Sequence, residues 1–230
     1  LHTDETLKEE IQAMYDAGFR GFELCQLNDS NVDATKYGYG SEQWNHDFHL
    51  VLNTALDLGM TLGLTSGTNW NTANIPGLDP DSQAANQCIF ETDEILEAGQ
   101  SRSGEIPSST TVESWGQTSE VKVREKAQFV GAYAYKMIDD TTIDSSTMID
   151  LTDQVVLGEG SNVGTLDYQA PDDGKYLIAY YWQQGTAQEA SPAAEPAYCI
   201  NYFDERGVEA LKEYWLEHVL NDEELNEKIK

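Results

Sequence analysis

The chain has 230 residues, 40% of them hydrophobic, and sets 41 acidic against 13 basic side chains for a formal net charge of −28. That apolar content, with five Trp and twelve Tyr, excludes global disorder. The charge argues against nucleic acid and anionic membrane surfaces, which both need clustered Lys and Arg, and no apolar run approaches the roughly 20 residues of a membrane span. Such an acidic surface suits a protein of salty or extracellular surroundings acting on neutral or cationic ligands. Cys25, Cys88 and Cys199 are odd in number and widely spaced, so they read as small buried apolar groups rather than a zinc or redox motif.

The first element is an amphipathic helix over Asp4 to Ala17, with Leu7, Ile11 and Met14 on one stripe. Thr3 or Asp4 can cap it, and Gly18 can end it. Phe19 to Cys25 is a short apolar strand, and Gln26 to Ser41 a polar loop. A second helix buries Trp44, Phe48, Val51, Ala55 and Leu58, Gly59 closes it, and Met60 to Thr65 forms a second strand. Strand, helix and strand in this order predict a βαβ unit with parallel strands.

From about Glu91 to Pro196 the helical period gives way to short strands and turns. Phe129 to Met137 alternates. In Lys175 to Gln184, residues Tyr176, Ile178, Tyr180 and Trp182 face one way, and Leu177, Ala179 and Tyr181 the other. Asp172-Asp173-Gly174 is the turn before that strand. The stretch Gln100 to Ser119, rich in Ser, Thr and Gly, is expected to be a mobile loop. After Pro196, Tyr198 to Phe203 is strand-like, and Val208, Leu211, Trp215 and Val219 mark the apolar face of a last helix. Asn221 to Lys230 looks like a further polar helical turn.

These elements define an α/β chain. Residues 1–90 open a (β/α)8 TIM-type barrel, 91–196 form an inserted antiparallel β-sandwich-like domain, and 197–230 return to the barrel with a strand and a helix. A closed barrel takes about 250 residues. Only its first βα units are expected here, with the rest of the same polypeptide completing it.

One ordered set of motifs narrows the reading. Gly18-Phe19-Arg20-Gly21-Phe22-Glu23-Leu24 precedes Tyr37-Gly38-Tyr39-Gly40-Ser41-Glu42-Gln43-Trp44, and Gly67-Thr68-Asn69-Trp70-Asn71 follows the second strand. Further on come Ile149-Asp150-Leu151-Thr152 and Tyr168-Gln169-Ala170-Pro171-Asp172-Asp173-Gly174. The set resembles glycoside hydrolase family 106, the α-L-rhamnosidase type, across nearly the whole chain. Tyr39 stands where that family has Trp, and Gly-Thr-Asn-Trp where it has Gly-Pro-Gly-Trp.

The resemblance implies a secreted or cell-envelope enzyme that removes terminal α-L-rhamnose or a similar deoxy-sugar from polysaccharides with inversion, assisted by calcium. That family takes its acid and base from later strands, and no position here matches them. The catalytic residues are therefore unassigned.

Loops after barrel strands build the active face. This makes Glu23 and Gln26, Tyr37 and Tyr39, and Thr65, Ser66, Asn69 and Trp70 the candidate substrate-binding residues. Amides and carboxylates suit hydroxyl groups, and Trp70 offers a flat apolar platform. Trp70 can equally be an anchor of its own loop, and Trp44 reads as packing.

Asp29 to Asp33 lacks the glycine and glutamate of an EF-hand and reads as an Asx-rich loop. His46 and His49, three apart, read as exposed helix-surface residues, so no metal ligand is assigned. Phosphate-loop, nucleophile-elbow, His-Glu-x-x-His and dinucleotide signatures are absent. The alternative to a hydrolase is a non-catalytic glycan-binding protein on the same scaffold. A weaker one is an unrelated barrel enzyme.

Overall fold

The computed structural model describes residues 3–27, 30–68, 73–114, 116–159, 162–223 and 227. The chain divides into two compact units, Leu1–Asn86 with Thr186–Lys230, and Gln87–Gly185.

In the first unit, α1 (Asp4–Asp16) is capped by Thr3, whose hydroxyl accepts from the Thr6 N–H. The strand β1 (Gly21–Leu24) follows, then the short helix α2 (Ala34–Tyr37), α3 (Glu42–Asp57) and β2 (Thr61–Leu64). The strands β1 and β2 pair in parallel, with Gly21 opposite Thr61 and Leu24 opposite Leu64. Ser41 caps α3 by accepting from the Trp44 N–H. Positive φ angles at Gly18 and Gly59 end the two long helices.

Ile11 of α1 meets Val51 and Ala55 of α3 over Met60, with Phe22, Leu24 and Leu62 of the strands against them. Phe48 and Leu52 carry this apolar layer on to Val219. Trp44 stacks on Phe48 with centroids 5.4 Å apart and planes 5° apart, the packing role its helical spacing indicates. The loop 26–41 holds a helix because Asp33 caps it: its carboxylate accepts from the Thr35 N–H and hydroxyl.

Next in the same unit is β3 (Asn74–Pro76). In the second unit come β4 (Gln87–Leu96), β5 (Ser101–Arg102), β6 (Ser109–Ser114), β7 (Gln117–Lys122), β8 (Gln128–Met137), β9 (Ile143–Asp150), β10 (Val156–Leu157), β11 (Gly164–Thr165), β12 (Tyr168–Gln169) and β13 (Tyr176–Gly185). Four of these form an antiparallel sheet in the order β4-β13-β8-β9. The alternation of β13 sends Tyr176, Ile178, Tyr180 and Trp182 into a core with Leu96, Ala132, Ala134, Leu151 and Leu166. No broad second sheet completes a sandwich among the described residues. The pairs β5–β12 and β10–β11, with their connecting segments, supply the second layer.

Part of that layer is fastened by Arg102. Its Nε lies 2.9 Å from Glu94 Oε1, and its Nη1 donates to the carbonyls of Gly104 and Leu166. Tyr180 donates to the same Glu94 oxygen at 2.6 Å.

The expected loop over Gln100 to Ser119 is instead strand in large part. Thr110, Thr111 and Val112 pair with Val121, Glu120 and Ser119 in the β6–β7 hairpin. The β-branched residues set the conformation, and the Ser content only mimics a loop.

The first unit resumes with β14 (Glu189–Ala190), β15 (Ala197–Cys199) and α4 (Glu205–Tyr214), which passes into a π-helical turn at Trp215–Val219. The expected return of this region to a parallel sheet is not what forms. The strand β15 runs antiparallel to β3 and β14 in a separate three-stranded sheet, with Ala197 opposite Pro76. The β-rich unit also ends at Gly185, because 189–190 pairs with β15 rather than with the four-stranded sheet. Cys199 is buried as expected, whereas Cys25 and Cys88 are only half-buried, and all three thiols are free.

Candidate functional site

The carboxyl ends of β1 and β2 lie side by side, so residues just beyond Leu24 and Leu64 converge although forty positions separate them in sequence. A cavity of about 200 Å³ opens there. Leu7, Leu24, Trp44, Phe48, Val51 and Leu64 give it an apolar lining, to which Gln26, Tyr37, Asp47 and Thr65 add polar groups. The Gln26 amide donates to the Tyr37 carbonyl at 3.2 Å, tying the end of α2 to the end of β1. Its Oε1 is buried without a hydrogen-bond partner among the described residues. Thr65 Oγ1 donates to Glu23 Oε1 at 3.2 Å across the parallel pair.

Four of the candidates thus meet: Gln26, Tyr37 and Thr65 line the cavity, and Glu23 is held by Thr65. Ser66 is half-buried, accepts from the Ala73 N–H through its carbonyl, and does not line the cavity. Asn69 and Trp70 lie outside the described residues.

Tyr39 is a correction. Its side chain is 0% exposed, and its ring packs edge-on to Trp44 at 4.9 Å and against Tyr214. A sugar cannot reach it. The turn that holds it explains why: a Cβ on Gly38 would run into the Ala34 carbonyl and the Ala193 backbone, so only glycine fits. That close approach lets Tyr39 N–H donate to the Pro192 carbonyl and the Tyr39 carbonyl accept from Ala194 N–H. Burial raises the Tyr39 hydroxyl far above its ordinary pKa. It faces the Trp215 indole N–H without reaching hydrogen-bond geometry, and neither group has another partner.

Asp47 is the member that reading the sequence overlooked. It falls between Trp44 and Val51 on the inward stripe of α3, and an acid on such a stripe is itself a signal. Gln43 donates to it at 2.9 Å.

Asp4, His46 and Asp47 bring three potential ligand atoms within 4.8 Å of one another. This group does not fit calcium, which takes six to eight oxygens; it offers three ligands, and one is imidazole nitrogen. His46 is exposed, with its Nε2 3.1 Å from the Asp4 carboxylate, while His49 Nε2 contacts the Val219 carbonyl. No oxygen-only cluster appears among the described residues. Nor is any described helix long and apolar enough to cross a membrane.

No family model matches the chain, and no curated protein sequence does. Among solved structures, the rhamnosidase from Novosphingobium sp. PP1Y is similar, with a TM-score of 0.59 at 12% identity. The similarity covers 95% of this chain and 35% of that one. In fold, the chain is therefore similar to a segment of a glycoside hydrolase: mixed α/β, with several antiparallel sheets.

Proposed function

We propose that the chain is part of a glycoside hydrolase of the α-L-rhamnosidase type. In this reading the complete, exported polypeptide closes a (β/α) barrel over β1 and β2. It removes terminal α-L-rhamnose or a related deoxy-sugar from polysaccharide, with inversion.

One observation carries the reading. Side chains from β1, α2 and the end of β2 meet at the carboxyl ends of parallel strands, around a cavity lined by both apolar and polar groups. A deoxy-sugar matches that division, with a methyl group for the apolar lining at Leu24 and Leu64 and hydroxyls for Gln26, Thr65 and Asp47. Buried amides and hydroxyls of this kind fix orientation in small-ligand sites. Inversion needs two carboxyl groups about 6.5–9.5 Å apart on opposite faces of the sugar. Among the described residues Asp47 is the one carboxylate of the cavity lining, so the acid and base are assigned to later strands of the complete polypeptide. Calcium, if used, is likewise held by residues other than the Asp4–His46–Asp47 group.

A non-catalytic glycan-binding protein is the second reading, favoured by the single carboxylate, Asp47, in the cavity wall. The two separate on one experiment: the complete gene product is assayed on an aryl α-L-rhamnoside and on rhamnose-containing pectin, with and without chelator. Release of β-configured rhamnose supports the hydrolase. Binding without turnover establishes the second reading, and neither binding nor turnover overturns both.

A further inference from the structure

The four-stranded sheet of the second unit has two very different faces. One is the core already described. On the other, the register sets Tyr181 of β13 beside Glu91 of β4 and Gly131 of β8, and sets Tyr133 of β8 beside Asp150 of β9. Tyr135 is two residues along from Tyr133 on the same face, roughly 7 Å by the strand rise. The Tyr133 and Tyr181 rings lie with centroids 6.0 Å apart. They come together because Gly131 has no side chain: a Cβ there would stand 3.0 Å from the Tyr133 hydroxyl and ring edge. All three tyrosines are half-exposed.

Carboxylates accompany the rings. The Tyr181 hydroxyl lies against Glu91, and Tyr135 feels the charges of Glu91 and Asp150. Among the described residues, no Lys or Arg forms an ion pair with Glu91 or Asp150.

We infer that this tyrosine face is a second carbohydrate-binding surface, distinct from the cavity of the first unit, and that it takes a neutral glycan chain. Aromatic rings in a row offer flat apolar area to the C–H faces of successive sugars. The carboxylates beside them accept hydrogen bonds from sugar hydroxyls, and bonds to charged acceptors are the stronger kind. Other occupants fit the chemistry less well. Asp150 accepts from the Thr152 N–H and Glu91 lies against the Tyr181 hydroxyl, but neither has a cationic partner among the described residues, so a docked protein would strip water from them at a cost. An anionic polymer meets repulsion from Glu91, Asp150 and the acidic chain as a whole.

The test is native affinity electrophoresis of the intact protein. The gels contain mixed-linkage β-glucan, xyloglucan or arabinogalactan, with polygalacturonate as the anionic control. Retardation is expected in at least one neutral gel and not in polygalacturonate. Tyr133→Ala and Tyr181→Ala should each lower the association constant about tenfold. Glu5→Gln, on the exposed side of α1, should leave it unchanged, and no rhamnoside turnover is read in these gels, so failure here and failure of the proposed hydrolase are read separately. Should either alanine variant misfold, Tyr135→Ser and Glu91→Gln serve in its place, with the same weakening expected. Three outcomes overturn the inference: no retardation in any neutral gel, equal retardation in polygalacturonate, or full retention by the variants. A fourth is wild-type self-association in sedimentation that the tyrosine variants abolish, which would assign the face to a second copy of the chain.

Discussion

Glu23 on β1 and the Thr65 hydroxyl just beyond β2 are joined at 3.2 Å, although forty-two positions separate them. The parallel register makes this possible: Leu24 faces Leu64, so the residues flanking the two strand ends are neighbours. Glu23 is exposed, and Thr65, which lines the cavity, gives its carboxylate one preferred orientation.

That orientation matters only if substrate uses the carboxylate. On the function proposed above, Glu23→Gln in the complete polypeptide is expected to lower kcat/KM for an aryl α-L-rhamnoside by about tenfold or more, the scale of one hydrogen bond to a charged group. Thr65→Val, which frees Glu23 and also removes a hydroxyl from the cavity lining, should lower it too, by less because no charged group is lost. Unchanged kcat/KM in both variants would remove this pair from the site.

Tyr39 allows a sharper discrimination. Its ring fills a fully enclosed position, while its hydroxyl is buried without a partner. Tyr39→Phe should therefore keep or raise the melting temperature and leave glycan binding unchanged. Tyr39→Ala should cost about 3–5 kcal/mol by opening a cavity beside Trp44 and Tyr214. Loss of sugar binding in Tyr39→Phe would contradict the packing role.

Arg102 ties three carbonyls and Glu94 together in the second unit: it reaches Gly104, Glu105 and Leu166, and its side chain is 9% exposed. Arg102→Ala should destabilise that unit by about 3–5 kcal/mol, because Glu94 and the carbonyls lose their partner. The double change Arg102→Leu with Glu94→Leu should recover part of the loss in chemical denaturation. A single variant as stable as the parent would show that water replaces the guanidinium at no cost.

Acid titration should register at the start of α4. Side-chain and backbone bonds from Arg206 hold the Asp204 carboxyl down at about 2, below its ordinary value of 3.8. A depressed folded pKa contributes stability above the unfolded pKa, and that contribution fades as pH falls from about 4 towards 2. Asp204→Asn should flatten this part of the stability-against-pH curve in thermal melts. An unaltered curve would place the acid sensitivity elsewhere.

The sequence carried most of the local structure, and the limits of its reading have physical causes. The helical spacing of Ile11, Phe48, Val51 and Ala55 and the two-residue alternation of Tyr176 to Trp182 report burial directly, so α1, α3 and β13 were legible. Strand direction was not. Ala197 to Cys199 looks apolar whichever way it runs, and only its pairing with Asn74 to Pro76 makes it antiparallel. Composition misled at 109–122, where Ser and Thr can build a hairpin as well as a loop. At the candidate site, position after a strand correctly singled out Gln26 and Thr65. The side-chain direction of Tyr39 depended on a segment more than 150 residues away, at Pro192 to Ala194.

The two ends of the β-rich unit emerge together. Gln87 and Gly185 face each other as the last rung of β4 and β13, and just outside them the Thr186 N–H donates to the Asn86 carbonyl at 2.8 Å. The segment 87–185 is therefore a cassette whose entry and exit occupy one doorway. Evolution or an engineer can delete it, or exchange it for another module, by bridging Asn86 to Thr186 with a tight turn. Loop-closure entropy grows only slowly with the length of what is inserted there, so the host tolerates cassettes of very different sizes. On the function proposed above, glycan preference can then change by exchanging the module while the parallel strands stay as they are.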